Sequence, residues 1–316
     1  MTTAYGPLLD ALRGVRWPAR RAVGAALPGA HRSRQRGTSG EFTEYRLYRQ
    51  GDDPRQLDWK LLGRSDRAFV RLTDDRALVS TWFVLDASLS MAFPDERHAL
   101  PGAPPSKWQV ARALAVGLGT VANASTDPVG ALIATADGTT SIAARTRRGT
   151  VGEIARALDA LQCGGDTSMA PLLAMAPVRA RIVVISDLLG DLDAMVRATA
   201  QRTAAGSIVE CLHVVAAEEL TLPTGAYLAR DPEQPQVERV LESRAVVAYR
   251  ERFDAFRAEA ARRWRGAGAG YTEVRTDAPL ARVIRQITSG QSRLEAQHDL
   301  GARQEMRDDS HERRAR

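Results

Sequence analysis

One apolar run in this chain ends in an acid and is followed by alternating hydroxyls: Asp86, Ser88 and Ser90, in D-A-S-L-S. Two later stretches carry the same kinds of oxygen donor, Thr167 within Gly165-Asp166-Thr167 and Asp187 within Ser186-Asp187. Carboxylates and hydroxyls are hard donors, suited to Mg²⁺, Mn²⁺ or Ca²⁺ rather than to zinc. If the three stretches meet in space, their oxygens suffice for an octahedral site. Each residue also has an ordinary reading, since Asp bends a chain leaving a strand and Ser caps the helix that follows. Asp166, Asp191 and Asp193 read as cap and loop residues. A serine nucleophile is the other chemistry on offer, and it needs a histidine within hydrogen-bond reach. Of the five histidines, His31, His298 and His311 fall in terminal segments, His98 in a proline-rich loop and His213 within a strand. No G-x-S-x-G marks the turn.

Elements able to position these loops can be read from hydrophobic pattern. Val79, Trp82, Phe83, Val84 and Leu85 form a run without polar alternation, which predicts a strand buried on both faces and ending at Asp86. Ile182 to Ile185 and Ile208 to Val215 predict two more buried strands, and Tyr271 to Arg275 a final strand. Val129 to Ala134 and Thr139 to Ala143 predict a hairpin turning on Asp137-Gly138. Between them lie helical patterns: Lys107 to Ala124 capped by Ser106, a helix capped by Thr150 and running to Leu161, then Met169 to Met175, Leu192 to Ala205, Arg239 to Arg265 and Leu280 to Ile287. This alternation predicts an α/β fold, a doubly wound, mostly parallel sheet covered on both sides. In such sheets ligands bind at the carboxyl ends of the strands beside the topological switch, where all three oxygen-bearing loops then fall. Gly117-Leu118-Gly119-Thr120-Val121-Ala122 matches G-x-G-x-x-A. It sits mid-helix rather than after a strand, so it reads as close helix–sheet packing and not as a dinucleotide site.

Ahead of this domain, Phe42, Tyr45 and Tyr48 predict a strand, Gly51-Asp52-Asp53-Pro54 a turn, and Ala68 to Leu72 a second strand, with the apolar Leu57, Trp59, Leu61 and Leu62 between. The dense acids and arginines here read as a structural ion-pair network in preference to a catalytic cluster. The run S-x-x-x-G-x-S-G-E-F (Ser33, Gly37, Ser39 to Phe42), then Y-R-x-Y-x-x-G-D-D-x-R-x-x-D-W (Tyr45 to Trp59), Arg64 and the D-A-S-L-S turn resemble the bacterial domain of unknown function family fifty-eight. Asp75-Arg76 stands where that family often has Glu-Arg. The resemblance implies a von Willebrand factor A-like domain that accompanies a MoxR-type AAA+ ATPase and a client protein. D-x-S-x-S also resembles the metal-ion-dependent adhesion site (MIDAS) of such domains. That likeness implies Ser88, Ser90 and Thr167 as direct ligands, with Asp86 and Asp187 holding coordinated waters. Neutral hydroxyl ligands leave a cation under-neutralised, so that it takes a carboxylate from a partner protein and needs no general base.

Composition sets the remaining bounds. With 316 residues, 44% of them hydrophobic, the chain can bury one large core plus a small appendage. Of its 44 basic residues only Lys60 and Lys107 are lysine. Residues 1–40 hold seven arginines against Asp10 and so carry the whole net charge of +6. That arm reads as solvated in preference to binding nucleic acid. Leu8, Leu9, Leu12, Val15 and Val23 predict a short amphipathic helix within it, broken at Pro18 and docked on the body. The expected segments are thus a basic helix and arm (1–40), a β-containing appendage (41–78), the von Willebrand factor A-like domain (79–290) and a disordered mixed-charge tail (291–316). Two unrelated cysteines, Cys163 and Cys211, no signal-peptide core and no membrane span predict a cytoplasmic protein. No G-x-x-x-x-G-K-[ST] occurs, so ATP hydrolysis would belong to a partner. The expected function is a metal-dependent, non-enzymatic protein-binding adaptor or co-chaperone. A metal-assisted phosphoesterase and a nucleic-acid binder acting through the arm are the alternatives.

Overall fold

A strand with apolar side chains on both faces is stable only between two helical layers, and the computed structural model of this chain is built on that requirement. It describes residues 3–17, 42–48, 57–65, 67–73, 79–94, 104–147, 149–165, 168–222, 227–230, 238–241 and 243–290. The chain divides into two compact units, one of residues 1–18 with 79–316 and one of residues 19–78. No described helix is long and apolar enough to cross a membrane.

The larger unit begins with the short helix α1 (Gly6–Ala11). In the smaller unit, strand β1 (Phe42–Leu47), helix α2 (Trp59–Ser65) and strand β2 (Phe69–Thr73) follow, the two strands pairing antiparallel. Asp58 caps α2, its Oδ1 accepting the backbone N–H groups of Lys60 and Leu61 at 3.0 Å. The apolar segment expected between the strands is therefore a helix, and Trp59 on it is 67% exposed.

Back in the larger unit come β3 (Thr81–Asp86), α3 (Lys107–Ala124), β4 (Val129–Thr135), β5 (Gly138–Arg145), α4 (Thr150–Ala160), α5 (Met169–Met175), β6 (Arg181–Ser186), α6 (Leu192–Ala204) and β7 (Ile208–Val215). The remainder is α7 (Ala217–Leu220), β8 (Tyr227–Arg230), β9 (Glu238–Leu241), α8 (Ser243–Gly266), β10 (Gly270–Arg275) and α9 (Leu280–Ser289). Six strands form one sheet in the order β10-β7-β6-β3-β4-β5. All pairings are parallel except β5 against β4, the expected hairpin. This is the doubly wound, mostly parallel α/β sheet predicted from the run pattern.

Alternate residues of the central strands enter different cores. Phe83 and Leu85 pack with Val183, Ile185, Leu114, Leu118 and Ile284. Val84 packs with Ile182, Val184, Leu172, Met195 and Trp264. The N-terminal helix docks on the domain, with Leu12 buried in the first of these cores. Gly117 makes room there: a Cβ would lie 2.5 Å from Ile284 Cδ1 and 3.2 Å from a Leu12 methyl, so those side-chain ends would have to shift. Gly119 faces Phe83 on the sheet at 3.4 Å. The glycine pair thus fits helices above as well as strands below.

Three local readings differ from the structure. Residues 239–241 belong to β9, paired with β8, so the long helix starts only at Ser243. Helix α4 is capped by Gly149 at φ 96°, and Thr150 instead turns its hydroxyl to the carbonyl of Arg147 at 2.8 Å. The β4–β5 turn is Ala136-Asp137, with Gly138 already in the return strand at φ 121°. Residues 19–40 of the arm and the tail 291–316 lie outside the described residues.

Candidate functional site

β3 and β6 are neighbours whose connections run in opposite directions, β3 leading through α3 to β4 on one side and β6 through α6 to β7 on the other. Their carboxyl ends bracket a topological switch point. β3 delivers Asp86 there, 5% exposed, and β6 delivers Ser186 and Asp187, both buried. After Asp86 the chain enters a 3₁₀ turn (Leu89–Ala92) that carries Ser90.

The Asp86 carboxylate organises this edge. Its Oδ1 accepts the backbone N–H of Ser88 at 2.9 Å, and its Oδ2 accepts the Ser186 hydroxyl at 2.7 Å across the strand gap. Ser186 Oγ in turn accepts the N–H of Leu188 at 2.9 Å. Ser88 and Ser90 bring their Oγ atoms within 3.1 Å of each other. Burial raises the Asp86 carboxyl above the ordinary carboxylate range and the nearby charge of Asp187 raises it further, against the bonds from Ser186 and Ser88. Both effects oppose a bare negative charge, and a cation here would relieve both.

The second loop is stitched to the first by backbone. Gly164 N donates to Ala87 O at 2.9 Å, and Leu89 N donates to Gly165 O at 3.3 Å. Gly165, at φ 70°, approaches so closely that a Cβ would sit 2.7 Å from Ala136 Cα. Thr167, expected as a ligand, and Asp166 beside it lie outside the described residues. Asp191 caps α6 by accepting the Ala194 N–H at 2.9 Å. Asp193 forms an ion pair with Arg263.

Asp187 has a partner that the sequence pattern did not suggest. Its Oδ2 receives a hydrogen bond from the Lys107 ammonium at 2.8 Å, while its Oδ1 accepts the Leu189 N–H at 3.2 Å. Lys107 Nζ also donates to Glu219 Oε1 at 2.9 Å, and Glu219 Oε2 accepts the Ala216 N–H at 2.8 Å. Lys107 is 1% exposed. Burial pulls its pKa down, but Asp187 and Glu219 outweigh that and leave it raised. A clue was available: in a chain that almost always uses arginine, a lysine opens a helix, the end where the helix dipole disfavours a cation.

The Ser88 and Ser90 hydroxyls are hydrogen-bonded to each other, at a spacing that a hard cation would also accept. Octahedral Mg²⁺ at about 2.1 Å from its ligands places adjacent oxygens about 3.0 Å apart, close to the 3.1 Å between Ser88 and Ser90. Among the described residues no three His, Cys, Asp or Glu side chains gather as a metal cluster, so an ion here would rest on hydroxyls, with Asp86 behind them. His213, the one histidine among the described residues, is fully buried. Its Nδ1 lies 2.6 Å from the Tyr271 hydroxyl, and burial lowers its pKa to about 4.

The family model described as "Protein of unknown function DUF58" matches residues 44–263. Uncharacterized proteins of Mycobacterium tuberculosis and Mycobacterium bovis are each 31% identical over 298 residues, spanning 89% of this chain and 89% of the relative. Among solved structures, the conserved hypothetical protein BatB from Bacteroides thetaiotaomicron matches 68% of this chain and 98% of its own at 18% identity and a TM-score of 0.42. The SpRpn10 VWA domain matches 66% and 93% at 10% identity and a TM-score of 0.38.

Proposed function

Because this chain belongs to the protein family of unknown function DUF58, we propose that it is a metal-dependent adaptor that binds an acidic residue of a partner protein at the β3–β6 edge. The observation that carries this reading is the meeting of Asp86, Ser88, Ser90 and Asp187 at one switch point, with the two hydroxyls spaced as neighbouring ligands of an octahedral ion. Ser88 and Ser90 would hold Mg²⁺ or Mn²⁺ directly, and Asp86 and Asp187 through water. When bound, the ion supplies an open coordination position for an external carboxylate. Asp86 needs no proton-transfer role: its hydrogen bonds to Ser88 and Ser186 hold the serine turn and the end of β6 in place.

A von Willebrand factor A-like α/β domain suits protein interaction. Exposed apolar side chains follow both loops, Phe93 after the serine turn and Leu189 after Asp187, and offer contact surface beside the ion. The family resemblance supports a MoxR-type AAA+ ATPase as the proposed partner, with a client protein beyond it, in a cytoplasmic setting consistent with two free cysteines. A phosphoesterase or serine-hydrolase reading draws no support from His213, whose ring faces Tyr271. The test is capture of a MoxR-type ATPase from the same genome by this chain in Mg²⁺ and in EDTA, with Asp86→Ala as control. Capture that needs Mg²⁺ and Asp86 is expected, and equal capture in all three conditions refutes the reading.

A further inference from the structure

We propose that Lys107 is a tethered cation that competes with the divalent ion for Asp187, and so keeps the site's affinity for that ion low. The inference rests on the cation reading of the β3–β6 edge and adds a control to it. Its basis is the way the lysine is held. A buried ammonium needs close pairing to offset its lost hydration; Lys107 lies over the Phe93 ring at 5.9 Å, and one carboxylate would suffice to neutralise it. Lys107 has two, Asp187 Oδ2 at 2.8 Å and Glu219 Oε1 at 2.9 Å. Glu219 is pinned independently by the Ala216 N–H. Lys107 can therefore release Asp187 and stay paired with Glu219. Asp187 can likewise turn from the lysine toward Asp86 while the Leu189 N–H still holds its Oδ1.

This arrangement assigns the three acids different work. Asp86 is committed to the serine turn and Ser186. Glu219 is the resting partner of the lysine. Asp187 is shared, and the charge it presents to an ion depends on where the ammonium sits. With Lys107 on Asp187 the site offers one uncompensated acid and two neutral hydroxyls, a weak donor set for a divalent cation. Freed, Asp187 adds a second negative charge. An ion pair that merely stiffened the loops would place no such condition on ion affinity.

The experiment is Mn²⁺ binding to the full chain, by calorimetry and by electron paramagnetic resonance of free Mn²⁺. The key variant is Lys107→Gln/Glu219→Gln, which removes one charge of each sign and leaves the net charge unchanged. It frees Asp187, and Mn²⁺ is expected to bind at least about tenfold more tightly than to the wild type, since charge count sets the affinity of oxygen sites. Adding Asp86→Asn should abolish that gain. Glu219→Gln alone confines the ammonium to Asp187 and should weaken binding several-fold; it retains the buried Lys107–Asp187 pair and serves if the double variant folds poorly. Wild-type affinity in the double variant would overturn the role of Lys107 while leaving the cation site standing. Absence of Mn²⁺ binding in both wild type and double variant would refute the site itself, and the inference with it.

Discussion

Replacing Lys107 by Met should destabilise the larger unit by about 3 kcal/mol, within the range for breaking a buried ion pair by removing one partner. Most of that cost falls on Asp187. Its side chain is 3% exposed and would lose its 2.8 Å charged partner, keeping only the longer bond from Leu189 N. Glu219, 13% exposed and still bonded to Ala216 N, loses less because water can reach it. The Met side chain fills nearly the volume of the lysine stem, so little of the loss should come from a cavity. Urea unfolding followed by tryptophan fluorescence reads the change, since Trp108 and Trp264 are buried in the two cores. The triple variant Lys107→Met/Asp187→Asn/Glu219→Gln removes the stranded charges and should recover all but about 1 kcal/mol, because neutral replacements of a buried ion cluster are often tolerated. A triple variant as unstable as the single would trace the loss to packing, and the electrostatic reasoning would fail.

Gly165→Ala should cost about 1–2 kcal/mol, from the positive φ and the 2.7 Å approach to Ala136 Cα. It should also weaken Mn²⁺ binding, because the Gly165 carbonyl holds Leu89 in the serine turn; unfolding and titration of one preparation check both. Arg181→Met removes the buried partner of Asp127 and the cation stacked 4.1 Å from the Trp17 ring. It should cost about 3 kcal/mol and hasten tryptic cleavage between Arg16 and Trp17; an unchanged cleavage rate would refute the idea that Arg181 holds Trp17 in place. The low pKa of His213, about 4 when folded against about 6.5 unfolded, means that between those values the unfolded chain binds a proton the folded chain refuses. Stability should therefore fall as pH drops from about 6.5 to about 4, by up to about 3 kcal/mol from this group. His213→Asn should flatten that limb, while the opposite tendency from the raised pKa of Asp86 stays common to both proteins.

The large elements were legible because their signal is local. The centres of β3 and β6 are continuous apolar runs, and a run buried on both faces has nowhere to go but the middle of a parallel sheet. Ser106 announced the start of α3, and the structure adds Gln109, which returns the cap reciprocally. Where local preference and pairing disagreed, local reading failed. Arg239 and Leu241 suit a helix, yet β8 recruits them as a strand, pairing them with Ala229 and Tyr227, and no property of those few residues reveals such partners upstream. Ser186 was seen as a loop residue, but its hydroxyl supports Asp86 across 100 positions.

What the sequence alone determined, then, is the order of the six sheet strands and of the longer helices between them, and the presence of oxygen donors where strands end, since spacing and residue type encode both. Only the tertiary structure decided how those donors are charged. Lys107 meets Asp187 across 80 positions and Glu219 across 112, because the sheet order sets the start of α3 beside the ends of β6 and β7. An ammonium reads as a solvent-facing group until the fold closes over it, and its energy inside depends on carboxylates that chain order keeps far apart.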